Sequence, residues 1–238
     1  MRRTTLGMVI TGALGLVLGA AGARAAADPL NRTAVERIVH DYILAHPEII
    51  PEAIERLQNQ AASKTIAAER KALETPFAGA WAGNPNGDVT LVMFSDYNCG
   101  YCRASMPDIE RLLKEDPKLK VVWREVPVLG PQSEAAARDA LAAAKQDGRY
   151  FAFHRALFAG RPDSRGLQAA AKVSGVDQAR LAVDRGGQDV AQEIENNLAL
   201  AGRLGVTGTP AFVIGTRLLG GAVGHDALAE AIAEARRG

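Results

Sequence analysis

Two cysteines, Cys99 and Cys102, are the only ones in the 238-residue sequence, and two residues separate them. Such a pair can alternate between a dithiol and a disulfide, and can therefore exchange disulfides with another protein. A purely structural disulfide is not indicated, because closing so short a loop restrains the unfolded chain very little. The pair predicts thiol–disulfide chemistry.

The positions of the two sulfurs suggest their roles. An apolar segment typical of a buried strand, Asp88–Phe94, leads towards Cys99, and a helical pattern follows. The start of a helix carries partial positive charge and unpaired N–H groups, which stabilise a thiolate. Cys99 is therefore the expected nucleophile. Cys102, one helical turn further on, is the expected resolving thiol.

Metal binding is the main alternative for a Cys-x-x-Cys pair. A structural zinc ion needs four ligands, but the sequence has no second cysteine pair and its 4 histidines are scattered. Two thiolates can hold Cu(I), so a copper-sequestering module stays open, although Met-rich and His-rich tracts are missing from the sequence. We expect no metal site and no cofactor beyond the redox-active cysteine pair.

The elements that must position these thiols follow an α/β order. A strand, a helix and a second strand in succession predict a parallel pair joined by a crossover. A long helical stretch then precedes two strands that flank a short turn. The expected elements are strands at 88–94, 119–126, 211–214 and 217–219, a helical stretch from 133 to about 204, and a last helix at about 226–236.

Residues 28–75 are predicted to form an N-terminal helical segment with two amphipathic helices. Short amphipathic helices cannot bury their apolar faces alone. They must cap the main domain or associate with copies of themselves. Breaker residues at 76–87 predict a linker, and 88–238 is the expected catalytic domain. The apolar faces comprise Val35, Ile38, Val39 and Tyr42, and then Ile50, Ile54, Leu57 and Ala61.

The first 27 residues have the features of a cleavable signal peptide. Arg2 and Arg3 precede an uncharged apolar stretch at 6–20, and small residues follow it. That stretch is shorter than the roughly 20 residues of a membrane-spanning helix. Export would place the cysteines where disulfides form. With 28 Lys and Arg against 27 Asp and Glu, the charge gives no case for nucleic-acid binding.

Three motifs together resemble the DsbA family. Phe94–Cys102 (FSDYNCGYC) is similar to its active-site segment, Glu125–Pro131 (EVPVLGP) to the segment after its second strand, and Gly208–Phe212 (GTPAF) to its cis-proline loop. The resemblance implies a thioredoxin fold with a helical insertion at about 131–204. It also implies a cis peptide that brings Thr209 beside the sulfurs. Gly100, Tyr101, Thr209 and Pro210 then form the substrate-binding loops.

The N-terminal segment narrows the resemblance. Tyr42–Ile50 (YILAHPEII) is similar to the helical region that precedes the catalytic domain in suppressor-of-copper-sensitivity C (ScsC) proteins. The resemblance implies a periplasmic protein linked to copper tolerance, a trimer formed through residues 28–75, and a membrane reductase of the ScsB type as redox partner. Its substrates would be exported proteins that contain disulfides.

Two features favour a disulfide isomerase or reductase over an oxidase. Gly100–Tyr101 is the dipeptide of DsbC-type isomerases, and Thr209 before the proline also resembles them. A histidine in place of Tyr101 would stabilise the thiolate strongly, which a tyrosine cannot do. A DsbA-like dithiol oxidase is the first alternative, and a Cu(I)-sequestering module is the second.

One position departs from the family pattern. Relatives often have a glutamate six residues before the first cysteine, where it handles the proton of the resolving thiol. This sequence has Met93 there. Another group, such as water or Glu125, would then take the proton, or the resolving thiol would deprotonate slowly.

Overall fold

The computed structural model describes residues 31–237, and the predicted signal peptide lies outside them. Of these described residues, those up to Ile50 belong to one compact unit and those from Pro51 onward to a second. The helices within the described range are α1 Arg32–Ala45, α2 Ile49–Glu74, α3 Gly100–Glu115, α4 Pro131–Ala144, α5 Tyr150–Ala159, α6 Ser164–Ser174, α7 Gln178–Asp184, α8 Gln188–Arg203 and α9 His225–Arg237. The strands are β1 Trp81–Gly83, β2 Val89–Ser95, β3 Leu119–Glu125, β4 Ala211–Ile214 and β5 Arg217–Gly220.

The sheet has the strand order β1-β3-β2-β4-β5. β2 and β3 are parallel and joined through α3, whereas the other neighbouring strands are antiparallel. The helices α4 to α8 lie between β3 and β4 in the sequence. This is a thioredoxin fold with a helical insertion and a preceding helical segment, so the predicted fold class is confirmed.

Alternate residues of the strands enter two apolar layers, as the period of a strand requires. Leu91 and Met93 of β2 join one cluster with residues of α3, α5 and α9. Val92 and Phe94 join the other cluster, together with Leu200 of α8 and residues of α2. Because both faces are covered, β2 and β3 are almost entirely buried.

The second half of α2 belongs to this core. Ala62, Ile66 and Leu73 pack in the cluster that contains Val92 and Val122. Ile66 and Leu73 are each only 1% exposed. The last part of the segment 28–75 therefore packs on the sheet through residues outside the two predicted apolar faces.

The structure also differs from the expected linker at 76–87. β1 lies inside that range and pairs with β3. The carbonyl oxygen of Ala80, a fully buried residue, accepts a hydrogen bond of 3.1 Å from the backbone N–H of Trp123. Gly83 has a φ of +89°, and a Cβ there would lie 2.4 Å from the Leu119 carbonyl oxygen. Gly83 thus allows the close approach of β1 to β3. The sequence did not predict this strand, because three residues are too few to show a strand period.

Candidate active site

Cys99 and Cys102 lie where β2 passes into α3. Cys99 is the N-cap residue of α3, and its Sγ accepts a hydrogen bond of 3.4 Å from the Cys102 backbone N–H. Both cysteines are free thiols. Cys99 is 7% exposed and Cys102 is fully buried. The Cys99 sulfur is therefore the one that a second molecule can reach. It also lies in the positive field of the N-terminus of α3.

The proline loop faces the same sulfur. The Thr209–Pro210 peptide is cis, as the resemblance implied. The Cys99 thiol donates to the Thr209 carbonyl oxygen at 3.1 Å, across 110 positions of sequence. The fold thus brings Cys99, Cys102 and Thr209 together. Pro210 directly follows Thr209 in the loop.

The two thiols are not equivalent. Burial raises the pKa of the Cys102 thiol well above its usual range, and the neighbouring Cys99 adds to this rise. Hydrogen bonds to the Cys102 sulfur from the Asp96 backbone and the Thr209 side chain oppose the rise without cancelling it. Cys102 therefore stays a protonated thiol at neutral pH until its environment changes.

The surface around Cys99 is apolar and open. The Tyr101 ring is 71% exposed, and the nearby loop after β3 exposes Val128 and Leu129. The buried carboxylate of Asp96 holds this loop, because its Oδ2 accepts the backbone N–H of Val128 at 2.9 Å and of Leu129 at 3.0 Å. A side chain at Gly100 would meet no atom within 4 Å. Of the expected loop residues, Gly100 and Tyr101 therefore face outward.

A buried polar cluster lies beside the active-site segment. The hydroxyls of Tyr97 and Tyr150 donate to Oε1 of Glu125 at 2.9 and 2.6 Å. His154 Nδ1 lies 2.6 Å from the Tyr97 hydroxyl and 3.1 Å from that of Tyr150. Since both hydroxyl protons point to Glu125, the His154 Nδ1–H is the donor to the tyrosine oxygens. We name these four residues the buried polar cluster.

Burial sets the protonation of this cluster. It raises the pKa of Tyr97 and Tyr150, and the charge of Glu125 raises both further. It lowers the pKa of His154, and Glu125 only partly opposes this. The tyrosines therefore remain hydroxyl donors and His154 remains neutral. Tyr150 and His154 lie four residues apart on one face of α5, and this spacing is the signal in the sequence that could have paired them.

A second contact joins α5 to the redox helix. The guanidinium of Arg103, the residue after Cys102, donates to the carbonyl oxygens of Phe158 and Gly160. These carbonyls lie at the C-terminal end of α5, where the helix leaves acceptors unpaired. Helix α5 therefore holds the active-site segment before Cys99, through Tyr97, and after Cys102, through Arg103.

Met93 occupies the position at which relatives often have a glutamate. Met93 is fully buried, and it pairs with Trp123 of β3. Glu125 is also fully buried, but its hydrogen bonds are to the hydroxyls of Tyr97 and Tyr150. Glu125, which the sequence suggested as an alternative proton acceptor for the resolving thiol, is therefore already hydrogen-bonded within the buried polar cluster.

Within residues 31–237, no three His, Cys, Asp or Glu side chains converge as metal ligands. Over the same range, no helix is both long and apolar enough to cross a membrane.

Residues 90–233 match the family model of the DSBA-like thioredoxin domain. The chain belongs to the DsbA-like thioredoxin family. Residues 31–64 match a second model, the N-terminal domain of the copper resistance protein ScsC. This DsbA-like chain therefore carries an ScsC-type N-terminal segment.

Solved structures agree with this assignment. A thioredoxin-like oxidoreductase from Silicibacter pomeroyi DSS-3 is 42% identical, with a TM-score of 0.67 over 71% of this chain and 98% of that chain. A linker-deleted variant of ScsC from Proteus mirabilis is 31% identical, with a TM-score of 0.68 over 90% of this chain and 98% of that chain.

A curated relative is a much longer protein than this chain. The Na(+)/H(+) antiporter NhaA 3 of Salinispora tropica is 29% identical over 161 residues, which is 64% of this chain and 24% of the antiporter. The chain thus spans about a quarter of the length of the curated relatives it matches.

The DsbA-like domain is a thiol–disulfide oxidoreductase of the DsbA and ScsC type. Its geometry accounts for such chemistry. The thiol at the helix N-terminus can attack a disulfide of a second molecule, and a second, protonated thiol lies one turn behind it.

Proposed function

We propose that this protein is a periplasmic disulfide isomerase or reductase that acts on exported proteins. The observation that carries the proposal is the contact of 3.1 Å between the Cys99 sulfur and the Thr209 carbonyl, at the N-terminus of α3. Gly100, Tyr101 and Pro210 complete the loops around the sulfur. The redox-active cysteine pair is the only cofactor that this chemistry needs.

In the first step, the Cys99 thiolate attacks one sulfur of a substrate disulfide. A mixed disulfide forms, the substrate S–S bond breaks, and the released substrate thiolate takes up a proton. In isomerisation, another substrate thiolate then attacks the mixed disulfide and restores Cys99. In reduction, Cys102 loses its proton and attacks the Cys99 sulfur, which gives the reduced substrate and a Cys99–Cys102 disulfide.

The burial of Cys102 favours isomerisation. Its raised pKa leaves very little thiolate at neutral pH, so resolution by Cys102 is slow and the mixed disulfide persists. A persistent mixed disulfide gives the substrate time to rearrange. A membrane reductase of the ScsB type would return any Cys99–Cys102 disulfide to the dithiol.

The exposed apolar residues before Ala62 support self-association. On α1 they are Val35, Ile38, Val39 and Tyr42, and on α2 they are Ile50, Ile54 and Leu57. We call these residues the apolar stripe. An ScsC-type trimer formed through residues 28–75 would cover it and would raise the effective concentration of catalytic domains around one substrate.

The location follows from the same reasoning. A signal peptide at 1–27 would export the chain to a compartment where disulfides form. A structural relative from Salmonella enterica is described as a periplasmic thioredoxin-like protein. A role in copper tolerance is part of the proposal through the ScsC-type N-terminal segment.

The decisive experiment traps the cysteines in living cells with a thiol-blocking reagent and assays the purified protein on a scrambled, disulfide-mispaired ribonuclease. We expect mostly reduced cysteines and reactivation of the ribonuclease. Mostly oxidised cysteines, with activity only on reduced ribonuclease, would establish the oxidase instead. Tight Cu(I) binding without disulfide turnover would establish the copper module.

A further inference from the structure

The helical insertion carries a basic surface beside the redox-active helix. Residues 149–172, which span α5, the loop after it and most of α6, contain five Arg or Lys residues and one Asp. The formal net charge of the whole chain is only +1, so this excess of positive charge is local. Its members are Arg149, Arg155, Arg161, Arg165 and Lys172.

Arg103 connects this basic surface to the thiols. Its backbone N–H donates to the Cys99 carbonyl oxygen at 3.2 Å, which places it one helical turn, a rise of about 5.4 Å, from the nucleophile. Its guanidinium donates to the carbonyl oxygens of Phe158 and Gly160, and Arg161 is the next residue in the loop. A molecule attached to Cys99 therefore lies beside Arg103 and close to the loop that carries Arg161.

Arg161 and Arg165 are exposed, and among the described residues neither side chain has a hydrogen-bond or ion-pair partner. The one acidic residue between them, Asp163, caps α6 by accepting the Gly166 backbone N–H at 2.9 Å. Two guanidinium groups therefore face the solvent with no carboxylate paired to either of them.

The fold keeps these two arginines in place at a local cost. A Cβ at Gly166 would lie 1.7 Å from the Arg161 carbonyl oxygen, so only glycine lets the loop pack against the start of α6. Arg165 lies in the first turn of α6, where the helix dipole disfavours a positive charge, and that turn has no acidic residue. Helix stability alone would favour an acid at position 165. An unpaired cation held there is a local conflict of the kind that functional sites carry.

Carboxylates are the groups that such arginines suit. A guanidinium binds a carboxylate through two parallel N–H donors, and exposed arginines attract an acidic partner from solution. The exposed Tyr101 ring lies on the same helix as Arg103, and Tyr and Arg are enriched where proteins bind other proteins.

We propose that Arg161 and Arg165 recruit substrate polypeptides that carry Asp or Glu residues beside the disulfide under attack. This inference rests on the proposed function and names its substrate class, which is disulfides in acidic segments. The arginines act on the approach of the substrate and take no part in the exchange of sulfur bonds.

Three disulfide-linked peptides that differ only beside the disulfide test this proposal. One has two Glu residues there, one has two Gln and one has two Lys. Reduced protein converts each peptide to its dithiol while Cys99 and Cys102 form a disulfide, and stopped-flow measurement of this single turnover gives the rate.

Three double variants isolate the two charges. Arg161→Gln/Arg165→Gln removes them, and Arg161→Lys/Arg165→Lys keeps them. Lys114→Gln/Lys118→Gln is the matched control, because both lysines are exposed at or just after the end of α3 that lies away from Cys99. Thermal unfolding of each variant checks that the fold is intact.

We expect the wild type to react fastest with the Glu peptide and slowest with the Lys peptide. The ratio of the Glu rate to the Gln rate should fall about threefold or more in Arg161→Gln/Arg165→Gln. It should stay at the wild-type value in the control and near it in the Lys variant. The preference should also fade between about 0.01 M and 1 M salt, because salt screens exposed charges.

A wild-type ratio in the folded Arg161→Gln/Arg165→Gln protein would overturn the proposal. So would binding to phosphatidylglycerol vesicles that needs these arginines while the peptide rates are equal, because the surface would then serve a membrane. A wild-type protein that fails to reduce even the Gln peptide would refute the proposed function instead.

Discussion

The Tyr97 hydroxyl lies 2.6 Å from Nδ1 of His154, entirely inside the protein. Tyr97 stands two residues before Cys99, whereas His154 belongs to the helical insertion. This contact links the insertion to the redox-active segment, and Arg103 links the two again after Cys102. The insertion is therefore part of what positions the thiols.

Tyr97→Phe and His154→Leu should show that the two residues act together. Each removes one partner of a buried hydrogen bond, so we expect each to lower the free energy of unfolding by about 1–2 kcal/mol. The double variant should lose less than the sum of the two. Urea denaturation measures this. His154→Asn, whose side-chain amide can replace the Nδ1–H, is expected to recover part of the loss. Strict additivity would contradict the contact.

The same histidine should make stability depend on pH. Because burial lowers the pKa of folded His154, the unfolded chain binds a proton first as the pH falls below about 6.5. The contribution of His154 to the free energy of unfolding is therefore complete above that pH. It is lost as the pH falls towards the pKa of the folded state. Urea unfolding at several pH values should show a shallower decline below pH 6.5 for His154→Asn than for the wild type.

His225 provides the control for that experiment. Asp226 and then Glu115 raise its pKa, so its contribution has the opposite sign and is lost as the pH rises. Because that contribution is fully present at all pH values below about 6.5, His225→Gln should leave the decline below pH 6.5 close to that of the wild type. A decline that follows His225 instead of His154 would refute the assignment.

The two thiols should differ sharply in reactivity. Iodoacetamide at neutral pH should modify Cys99 and spare buried Cys102, whose pKa is raised. Cys99→Ser should abolish exchange with a small disulfide. Cys102→Ser should retain the first attack and accumulate the mixed disulfide. Peptide mapping and non-reducing gels measure both. Preferential labelling of Cys102 would reverse the proposed roles.

The apolar stripe should control the oligomeric state. Ile38→Lys and Leu57→Lys place a charge where we propose contacts between copies, so the mass in solution should fall towards that of the monomer. Val183→Lys is the matched control, because Val183 is also exposed, at 75%, but lies on α7. Light scattering coupled to size exclusion gives the mass. Equal masses for all variants would count against assembly through residues 28–75.

Arg124 should be essential for the junction between α2 and the sheet. It is buried, pairs with Glu193 at 2.8 Å, and donates to the Ala72, Leu73 and Thr75 carbonyls at the end of α2. Arg124→Met should lower the free energy of unfolding by roughly 3 kcal/mol, since it leaves Glu193 and these carbonyls unpaired. Arg111→Met removes only an exposed pair with Glu115 and should change the free energy of unfolding very little.

The sequence was most informative where chemistry and pattern coincide. The spacing of Cys99 and Cys102 and the apolar strand before them predicted the helix N-terminus, because a strand followed by a helix has few alternative arrangements. The contact between Cys99 and Thr209 came only from the family resemblance, since nothing local in the chain relates positions 110 apart.

Other features were not predictable from local pattern. Tyr150 and His154 fit an apolar helix face as well as a polar cluster, because both rings bury readily and only tertiary contacts reveal their partners. Arg124 alternates within a strand like any exposed residue, yet it faces the carbonyls of α2. The division of α2 into an exposed and a buried half depends on where the sheet ends, which periodicity does not record.

Helix α2 has a practical consequence for protein engineering. Since Ile66 and Leu73 complete the core, the oxidoreductase module begins inside this helix and not at the first active-site strand. A chimera that grafts the module onto another scaffold should be joined before Ala62. A junction near Asn84 would expose the apolar face of the sheet that α2 covers, and would therefore favour precipitation. A junction before Ala62 would keep that apolar face covered and the graft soluble. The helix would also provide a connection of defined geometry to the new scaffold.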